Sequence, residues 1–525
     1  MKFFVFRNNT VEPFFTGSDY AFSGYDDISH LPEDADTYIW FYQIPVKYDT
    51  EVLTDEVRSF IRKMAFVVSQ TDPQKTILLF TLQDSGSVQF TGDDARLEQA
   101  VAEYNAAILG LTQKYGNAKR VDFTNFTRNY AAADLIDWKF YFLSQMPLNP
   151  RLAKPFKAWF DRQQGQIALK RKKCLVLDLD NTLWGGVLGE EGIDGIRIGG
   201  DYPGKAFHCF QEALLELGKN GVLLCVCSKN NEKDVWEAWE KNPFMVLRKE
   251  HFAACRINWN DKANNLREIA AELNLGLDSF VFVDDNPTER ELIRQILPMV
   301  SVPDFPTQPY ELPSFFDKLV DDYFKVYSVT NEDRNKTEQY RANALRAEAR
   351  QHFVDFAQFL QSLEMRLTIE QANDFHIARI SQMTQKTNQF NLTTRRYTDA
   401  DIKRKLAAGA RIWCLSVADK FGDNGMTGCL VVENGAIDTF LLSCRILGKG
   451  IEKAFLYTVL NHLQRLNEKS IRATYLPTAK NIQVEEFYEK CGFRLLTVDT
   501  DGTKHYEIAL GKIFETESYY DIIEK

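Results

Sequence analysis

Histidine is scarce in this chain, with seven in 525 residues and only His30 before residue 200. A serine–histidine–aspartate triad in the first third would need a histidine late in that region, so the scarcity argues against one. Nine cysteines are scattered, mostly inside apolar runs, and no Cys-x-x-Cys pair occurs. That argues against a disulfide framework or a cysteine-ligated zinc site and predicts reduced core thiols in a cytoplasmic protein. No apolar run approaches the roughly 18–20 residues that cross a bilayer, and residues 1–6 are too short a run for a secretory signal, so no membrane association is expected. Positive charge is in deficit, with a net charge of −10 and both signs spread along the chain. This speaks against a nucleic-acid surface. The tightest basic run, Lys170-Arg171-Lys172-Lys173, flanks an apolar strand pattern and reads as a solvated edge.

What remains is an ordinary globular composition, 45% hydrophobic and 26% charged, long enough at about 150 residues per domain for three domains. The first, 1–165, alternates strand patterns at 2–6, 38–42, 76–82 and 119–123 with helical periodicity at 51–68 and 93–114. That predicts an α/β layer with a parallel sheet. The second is 166–325. Pro303, Pro306, Pro309 and Pro313 punctuate its end, and charged helical segments near 314–327 and 331–350 follow. Residues 326–352 read as a helical linker, whose charge pattern calls for solvation alone, to a last domain, 353–525.

The most informative stretch is Asp178-Leu179-Asp180-Asn181-Thr182, directly after the apolar run 174–177. Two further apolar runs end in polar residues: 221–227 meets Ser228-Lys229-Asn230, and 280–283 meets Asp284-Asp285-Asn286-Pro287. Between them, Asp261-Lys262-Ala263 opens a helical pattern with Leu266, Ile269, Ala270 and Leu273 on one face. Strands alternating with helices predict parallel pairing through right-handed crossovers, and such sheets gather ligands at the carboxyl ends of their strands. Every special residue falls at a strand end or a helix start, so the pattern brings them together.

Residue type then suggests roles. Asp178 suits attack on phosphorus, and Asp180 suits protonating the leaving oxygen and later activating water. Asp284, with Asp178 and the backbone carbonyl of Asp180, offers Mg2+ the oxygen ligands it prefers, with Asp285 beside it or acting through a water. Ser228 can donate to a phosphoryl oxygen, and Lys262 can neutralise the charge gathered there. The competing reading makes these ordinary loop acids and a solvated lysine.

The motifs together resemble the phosphotransferase domain of the haloacid dehalogenase (HAD) superfamily. The blocks 177–190, 226–230 and 283–287 resemble, more narrowly, the FkbH-like family, over nearly the whole chain. The resemblance implies a phosphatase or phosphotransferase that dephosphorylates a glyceryl-type acyl phosphate, a small phosphorylated metabolite, and loads the glyceryl unit onto an acyl carrier protein. Only about 18 residues separate Asp180 from Ile198, which leaves no room for a large cap domain; 185–204 reads as a glycine-rich flap. The first domain resembles a flavodoxin/SGNH-hydrolase-like α/β domain. Arg7-Asn8-Asn9-Thr10 stands where its nucleophilic serine would be, so a binding or docking module is expected there, with Asn8 and Asn9 either contacting a ligand or shaping the turn.

In the last domain, 411–418, 426–433 and 437–444 read as a meander, with Asn434-Gly435 as a hairpin signal. Arg445-Ile446-Leu447-Gly448-Lys449-Gly450 then opens a helix at 451–466, a turn that would present free N–H groups to a phosphate. With Asn481 and 487–493 downstream, the segment resembles a GNAT acyltransferase, an α+β fold. The resemblance implies a phosphate loop at Arg445, Gly448 and Gly450, with Tyr488 protonating a leaving thiolate. A phosphopantetheine arm of a carrier protein would fit the same groove. The alternative is a tight turn and a core tyrosine. The polar stretch 384–393 reads either as the lining of a substrate path between domains or as a surface loop.

An acyl phosphate has two electrophilic centres. Phosphorus suits Asp178, and the carbonyl carbon suits a thiolate. Cys227, next to Ser228, is the candidate acyl-carrying thiol, with Cys225 on the same face but deeper; a buried structural cysteine is the competing reading. Three function classes stay open. One is a coupled phosphatase and acyl-loading transferase, another a plain Mg2+-dependent phosphatase with a substrate-binding last domain, and the third a non-catalytic scaffold.

Overall fold

The computed structural model describes residues 2–83, 90–329, 339, 340, 342, 346, 349, 353, 355–443 and 446–525. The chain divides into two compact units, 1–168 with 398–401, and 169–397 with 402–525. Among the described residues, no helix is long and apolar enough to cross a membrane.

The first unit is built on a five-stranded sheet of β1 (Phe3–Arg7), β2 (Tyr20–Tyr25), β3 (Thr37–Phe41), β4 (Thr76–Phe80) and β5 (Ala118–Val121). Their order is β2-β1-β3-β4-β5, all parallel. β3 is buried along its length, as a central strand covered on both faces must be. Helices Thr50–Gln70 and Arg96–Lys114 cover one face, and helix Ala153–Ile167 packs an aromatic cluster on the other. The sequence pattern missed β2, an edge strand whose alternation is broken by Ser23 and Gly24. At the end of β1, Asn8 donates to the Gln43 carbonyl at 2.7 Å and accepts from the Gln43 amide at 3.0 Å. Asn9 donates to Asn8 at 2.9 Å. These amides shape the strand-end turn.

In the second unit, β6 (Cys174–Leu177), β7 (Leu223–Ser228), β8 (Ala254–Ile257) and β9 (Phe280–Val283) form a parallel sheet of order β8-β7-β6-β9. Residue faces alternate with the period of two that strands impose. Leu175, Leu177, Val226, Val281 and Val283 enter one core. Cys174, Val176, Cys225, Cys227 and Phe282 enter the other, against Ala263, Leu266 and Ile269 of helix Lys262–Glu272. β6 is central and wholly buried, so the chain leaving its carboxyl end must place Asp178 in the middle of the sheet's upper edge.

The rest of this unit carries a mixed sheet. Its strands are β10 (Met365–Gln371), β11 (Phe390–Asn391), β12 (Arg411–Asp419), β13 (Gly422–Glu433), β14 (Ala436–Leu442), β15 (Ser470–Tyr475), β16 (Arg494–Val498), β17 (Lys504–Ala509) and β18 (Tyr520–Glu524). The main path runs β16-β17-β15-β14-β13-β12-β10-β18. The meander β12–β14 and the Asn434-Gly435 turn stand where the sequence placed them, with Asn434 at a φ of 51°. β14 and β15 pair in parallel only at Ala436–Arg472 and Ile437–Ala473. Beyond that they part, and β11 takes the freed edge of β14 at Leu441 and Leu442. Leu392 completes the bridge, donating to the Phe440 carbonyl at 3.1 Å and accepting from the Leu476 amide at 2.8 Å. The fold is thus α/β, with two parallel sheets and one mixed sheet. The 331–350 segment lies largely outside the described residues; Arg346 within it forms a buried bidentate pair with Asp419 at 2.5 and 2.8 Å.

Candidate active site

The carboxyl edge of the β8-β7-β6-β9 sheet assembles the site. Asp178 follows β6, and its amide donates to the Val283 carbonyl at 3.0 Å, extending the ladder one step past β9. Ser228 ends β7, Asp284 and Asp285 follow β9, and Lys262 opens the helix after β8, where Asp261 caps the helix by accepting from the Asn264 amide. Lys262, Asp178 and Asp284 are 3%, 6% and 0% exposed. The Lys262 ammonium sits between the two carboxylates, 2.8 Å from Asp178 Oδ1 and 2.6 Å from Asp284 Oδ2. This is no solvated lysine.

Asp178, Asp284 and Asp285 each bring a carboxylate oxygen within 4.8 Å of the others. Burial pushes the Asp178 carboxyl up to about 7, with Lys262 pulling down and Asp284 adding to the rise. Burial and Asp284 raise Asp285 to about 6. Burial alone would lower the Lys262 ammonium, but the two carboxylates outweigh it and hold it above the ordinary lysine range. Three carboxylates against one ammonium leave the ionised cluster two negative charges in excess. A divalent cation balances that excess, and an all-oxygen donor set is what Mg2+ prefers. The residues present therefore fit the ion. The guanidinium of Arg290 fixes the backbone beneath, donating at 2.7 Å to the carbonyls of both Asp284 and Asp285. The Asn286 amide donates to Asp284 Oδ1 at 2.9 Å, and the Asp285 amide to Thr182 Oγ1 at 3.2 Å.

Asp180 stands apart from the carboxylate cluster. Its Oδ1 accepts from Trp184 Nε1 at 2.9 Å and from the Leu188 amide at 3.0 Å; its Oδ2 accepts from Asn230 Nδ2 at 2.9 Å. Three donors on one carboxylate aim it. Asn230 also reaches the Ser228 hydroxyl at 3.2 Å, and that hydroxyl lies beside Asp178. Trp184 is fully buried, so the stretch after Asp180 is spent on fixing the acid. Asn181, at a φ of 54°, turns the chain and accepts from the Gly186 amide at 2.9 Å. The flap over 185–204 contains a short helix, Leu188–Gly195. Trp184, Asn230, Thr182 and Arg290 join the site as positioning residues that the sequence pattern does not single out. Asn230 and Trp184 lay inside the quoted motifs, and a polar residue two past Ser228 at a strand end was the available signal.

The candidate thiol is in the wrong place for acyl transfer. Cys227 is fully buried, faces the Lys262–Glu272 helix, and is pushed up to about 12 by burial. Strand alternation turns it into the core on the face it shares with Cys225, so neither exposure nor thiolate character is available to it. Tyr488 is likewise core: it is 1% exposed, packs on Phe493 and Tyr506, and its hydroxyl has no hydrogen-bond partner among the described residues. Gly448 and Gly450 are exposed, with φ of 76° and 75°, and Gly450 precedes helix Ile451–Arg465. The loop is braced by β18, since the Tyr520 hydroxyl donates to the Lys449 carbonyl at 2.6 Å. A Cβ at Gly450 would lie 2.8 Å from that hydroxyl. Arg445 lies outside the described residues. Asn481, fully buried, donates to the Asn391 and Leu476 carbonyls at 3.0 and 2.9 Å and so ties β11 to the end of β15.

No family model and no curated protein matches the chain. Among solved structures it is similar to the N-terminal part of the protein BF1531 from Bacteroides fragilis, which contains a phosphatase domain and was solved with Mg. That likeness has 27% identity and a TM-score of 0.53, and covers 62% of this chain and 94% of the other. A shorter likeness is to a mutant of the spermidine N-acetyltransferase SpeG from Vibrio cholerae, at 15% identity and a TM-score of 0.23, over 28% of this chain and 95% of the other. Another is to the ribosomal-protein-S18-alanine N-acetyltransferase from Escherichia coli, at 13% identity and a TM-score of 0.22, over 29% and 98%.

Proposed function

We propose that this protein is a Mg2+-dependent phosphohydrolase of HAD type coupled to acyl loading of a carrier protein. The observation that carries the phosphohydrolase half is the buried Asp178–Lys262–Asp284 constellation with Asp285 beside it, at the carboxyl end of a parallel sheet. The magnesium-bound phosphatase domain of the similar Bacteroides fragilis structure supports it. Asp178, Asp284 and Asp285 would hold the ion, which when bound supplies charge neutralisation for the phosphoryl oxygens.

The chemistry of the leaving group divides the labour. Were Asp178 to attack the phosphorus of the acyl phosphate itself, the P–O bond would break, a free carboxylate would leave, and the activation needed for a thioester would be lost. A carboxylate also leaves without a proton. Asp180, aimed by three donors, has work as an acid only where an alkoxide leaves. The site therefore suits a phosphomonoester elsewhere on the same acyl unit, as a glyceryl-type bisphosphate carries. Asp178 attacks that phosphorus, the ester P–O bond breaks, and Asp180 gives its proton to the alkoxide. Asp180 then deprotonates the water that releases phosphate from Asp178. Ser228 and Lys262 stabilise the charge on the phosphoryl oxygens. The thioester forms separately: the carrier thiolate attacks the carbonyl carbon, the C–O bond breaks, and inorganic phosphate leaves. With Cys227 buried, no acyl-enzyme on that thiol is required.

The test is mass spectrometry of a carrier protein incubated with enzyme, Mg2+ and a bisphosphorylated acyl donor. The wild type should add the dephosphorylated acyl mass, and Asp178→Asn should leave the acyl unit with its phosphoryl group attached. Phosphate release with no gain of carrier mass would favour the plain phosphatase.

A further inference from the structure

The sequence resemblance to a GNAT acyltransferase implies that the last domain receives the pantetheine arm of a ligand, with its phosphate at the Gly448–Gly450 turn. Helix Ile451–Arg465 joins β14 to β15, and those strands run parallel. The amino end of the helix therefore lies at their carboxyl ends, and an arm leaving that turn would enter between them. In one respect the strands suit such an arm. They pair only at Ala436–Arg472 and Ile437–Ala473, and past that point neither strand satisfies the other's backbone edge. A pantetheine arm carries amides and could pair with such an edge as an added strand does.

The chain itself has taken that place. β11 pairs Phe390 with Leu442 and Asn391 with Leu441. The Phe440 carbonyl accepts from the Leu392 amide at 3.1 Å, and the Asp438 carbonyl from the Thr393 hydroxyl at 2.9 Å. On the β15 side, the Leu476 amide donates to the Leu392 carbonyl at 2.8 Å, and the Leu476 carbonyl accepts from Asn481 Nδ2 at 2.9 Å. Asn481 Nδ2 also donates to the Asn391 carbonyl at 3.0 Å, and Asn481 Oδ1 accepts from the Thr478 amide at 2.7 Å. Side chains fill the space as the backbone fills the edge. Phe390, Asn391, Leu392 and Thr393 are all buried. The Phe390 ring meets Phe440 and Phe487 edge-on, with centroids 5.3 and 5.0 Å apart, and Leu392 joins the core that holds Phe455 and Tyr488. Displacing β11 would leave buried carbonyls and amides unsatisfied and would expose apolar side chains, which sets it apart from a mobile lid.

We infer that residues 390–393 are a built-in occupant of the cleft between β14 and β15, and that no pantetheine arm, of coenzyme A or of a carrier protein, enters it. The end of the polar stretch 384–393 is thus an inner strand and neither a substrate path nor a surface loop. Tyr488 agrees with this, since it is buried behind the filled cleft where no thiolate reaches it. The inference rests on the packing of the mixed sheet and not on the proposed phosphohydrolase chemistry. It restricts the loading half of that proposal: the carrier thiolate meets the acyl donor outside this cleft.

The test is hydrogen–deuterium exchange read by mass spectrometry, on the full-length protein alone and with millimolar coenzyme A or 4′-phosphopantetheine. Peptides covering 388–394 and 471–477 should exchange about a thousandfold or more slowly than an unstructured chain, and neither ligand should change them. Fast exchange in the free protein would overturn the inference, because β11 would then be no lasting occupant. So would a ligand-dependent change at either peptide, which would put the arm in the cleft. Coenzyme A that binds and alters only a peptide at 446–452 would uphold it, as a phosphate contact with the arm left outside. Failure of the proposed function is read separately, in phosphate release and carrier mass. A protein that loads no carrier while these amides stay protected loses that reading and keeps this one.

Discussion

Replacing Lys262 by methionine removes the one cation from a buried cluster of acids and leaves Asp178 and Asp284 facing each other. The ammonium lies 2.8 and 2.6 Å from them, and all three groups are at least nine-tenths buried. Breaking such a pair from one side costs about 3–5 kcal/mol, most of it from the charge left uncompensated. The pH dependence has a definite sign. Asp178 is already raised in the folded protein, to about 7, and loss of Lys262 raises it further. A carboxyl whose folded value lies above its unfolded one destabilises the fold at pH values above the folded value. That destabilisation fades as pH falls toward the unfolded value, because the folded state then takes up the proton. Lys262→Met should therefore lose about 3–5 kcal/mol against wild type at pH 8 in EDTA and recover much of it at pH 5.5. Millimolar Mg2+ should also restore stability at pH 8, since a ligand that binds only the folded state stabilises it by mass action. Urea unfolding at the two pH values, with EDTA or Mg2+, gives all four numbers. A variant within about 1 kcal/mol of wild type at pH 8 in EDTA would refute the view that the cluster holds excess negative charge.

Asp180→Asn turns an amide N–H toward donors from Trp184, Leu188 and Asn230; phosphomonoester turnover should fall about 10²–10⁴-fold and stability by about 1–3 kcal/mol, read by steady-state kinetics and urea titration. Arg346→Met leaves Asp419 buried and unpaired, so thermal unfolding should report a loss of about 3–5 kcal/mol. Cys227→Ala should leave carrier loading intact in the mass assay and cost about 1 kcal/mol of stability; loss of loading in a folded variant would return the acyl-carrying role to that thiol.

The convergence of these side chains was legible in the sequence because its signals are local. Asp178, Ser228 and Asp284 each terminate a short apolar run, and Lys262 begins an amphipathic one, so parallel topology alone makes them meet. Roles that depend on side-chain direction were less legible. Cys227 is next to Ser228, yet strand alternation turns neighbours to opposite faces. One of them reaches the site while the other enters the core. Tyr488 sits in a recognisable segment, but its burial is decided by Phe493 and Tyr506. The edge strands β2, β16 and β18 escaped notice because edges are exposed on one side and lack the continuous apolar run of β6 or β9. β11 is two residues long, and only the parting of β14 from β15 creates the edge it occupies.

The stretch between Asp180 and Ile198 bears on what the site can admit. In a phosphohydrolase with a lid, this insertion point would hold a domain that closes over a small substrate. Here Trp184 and the Leu188 amide are committed to Asp180, and Gly185 exchanges backbone hydrogen bonds with Arg197 at 3.0 and 2.7 Å. The segment is pinned to its own acid, which leaves Asp180 oriented before any substrate arrives. Rate then depends on how the substrate is presented, because Asp180 is already aimed. A phosphoryl group on an acyl unit tethered to a carrier protein could enter such a site, whereas a lid would have to exclude the carrier. If so, truncating the substrate to the free phosphorylated acid should raise KM with little change in kcat, since the chemical groups are already in place and only the carrier's contribution to binding is lost.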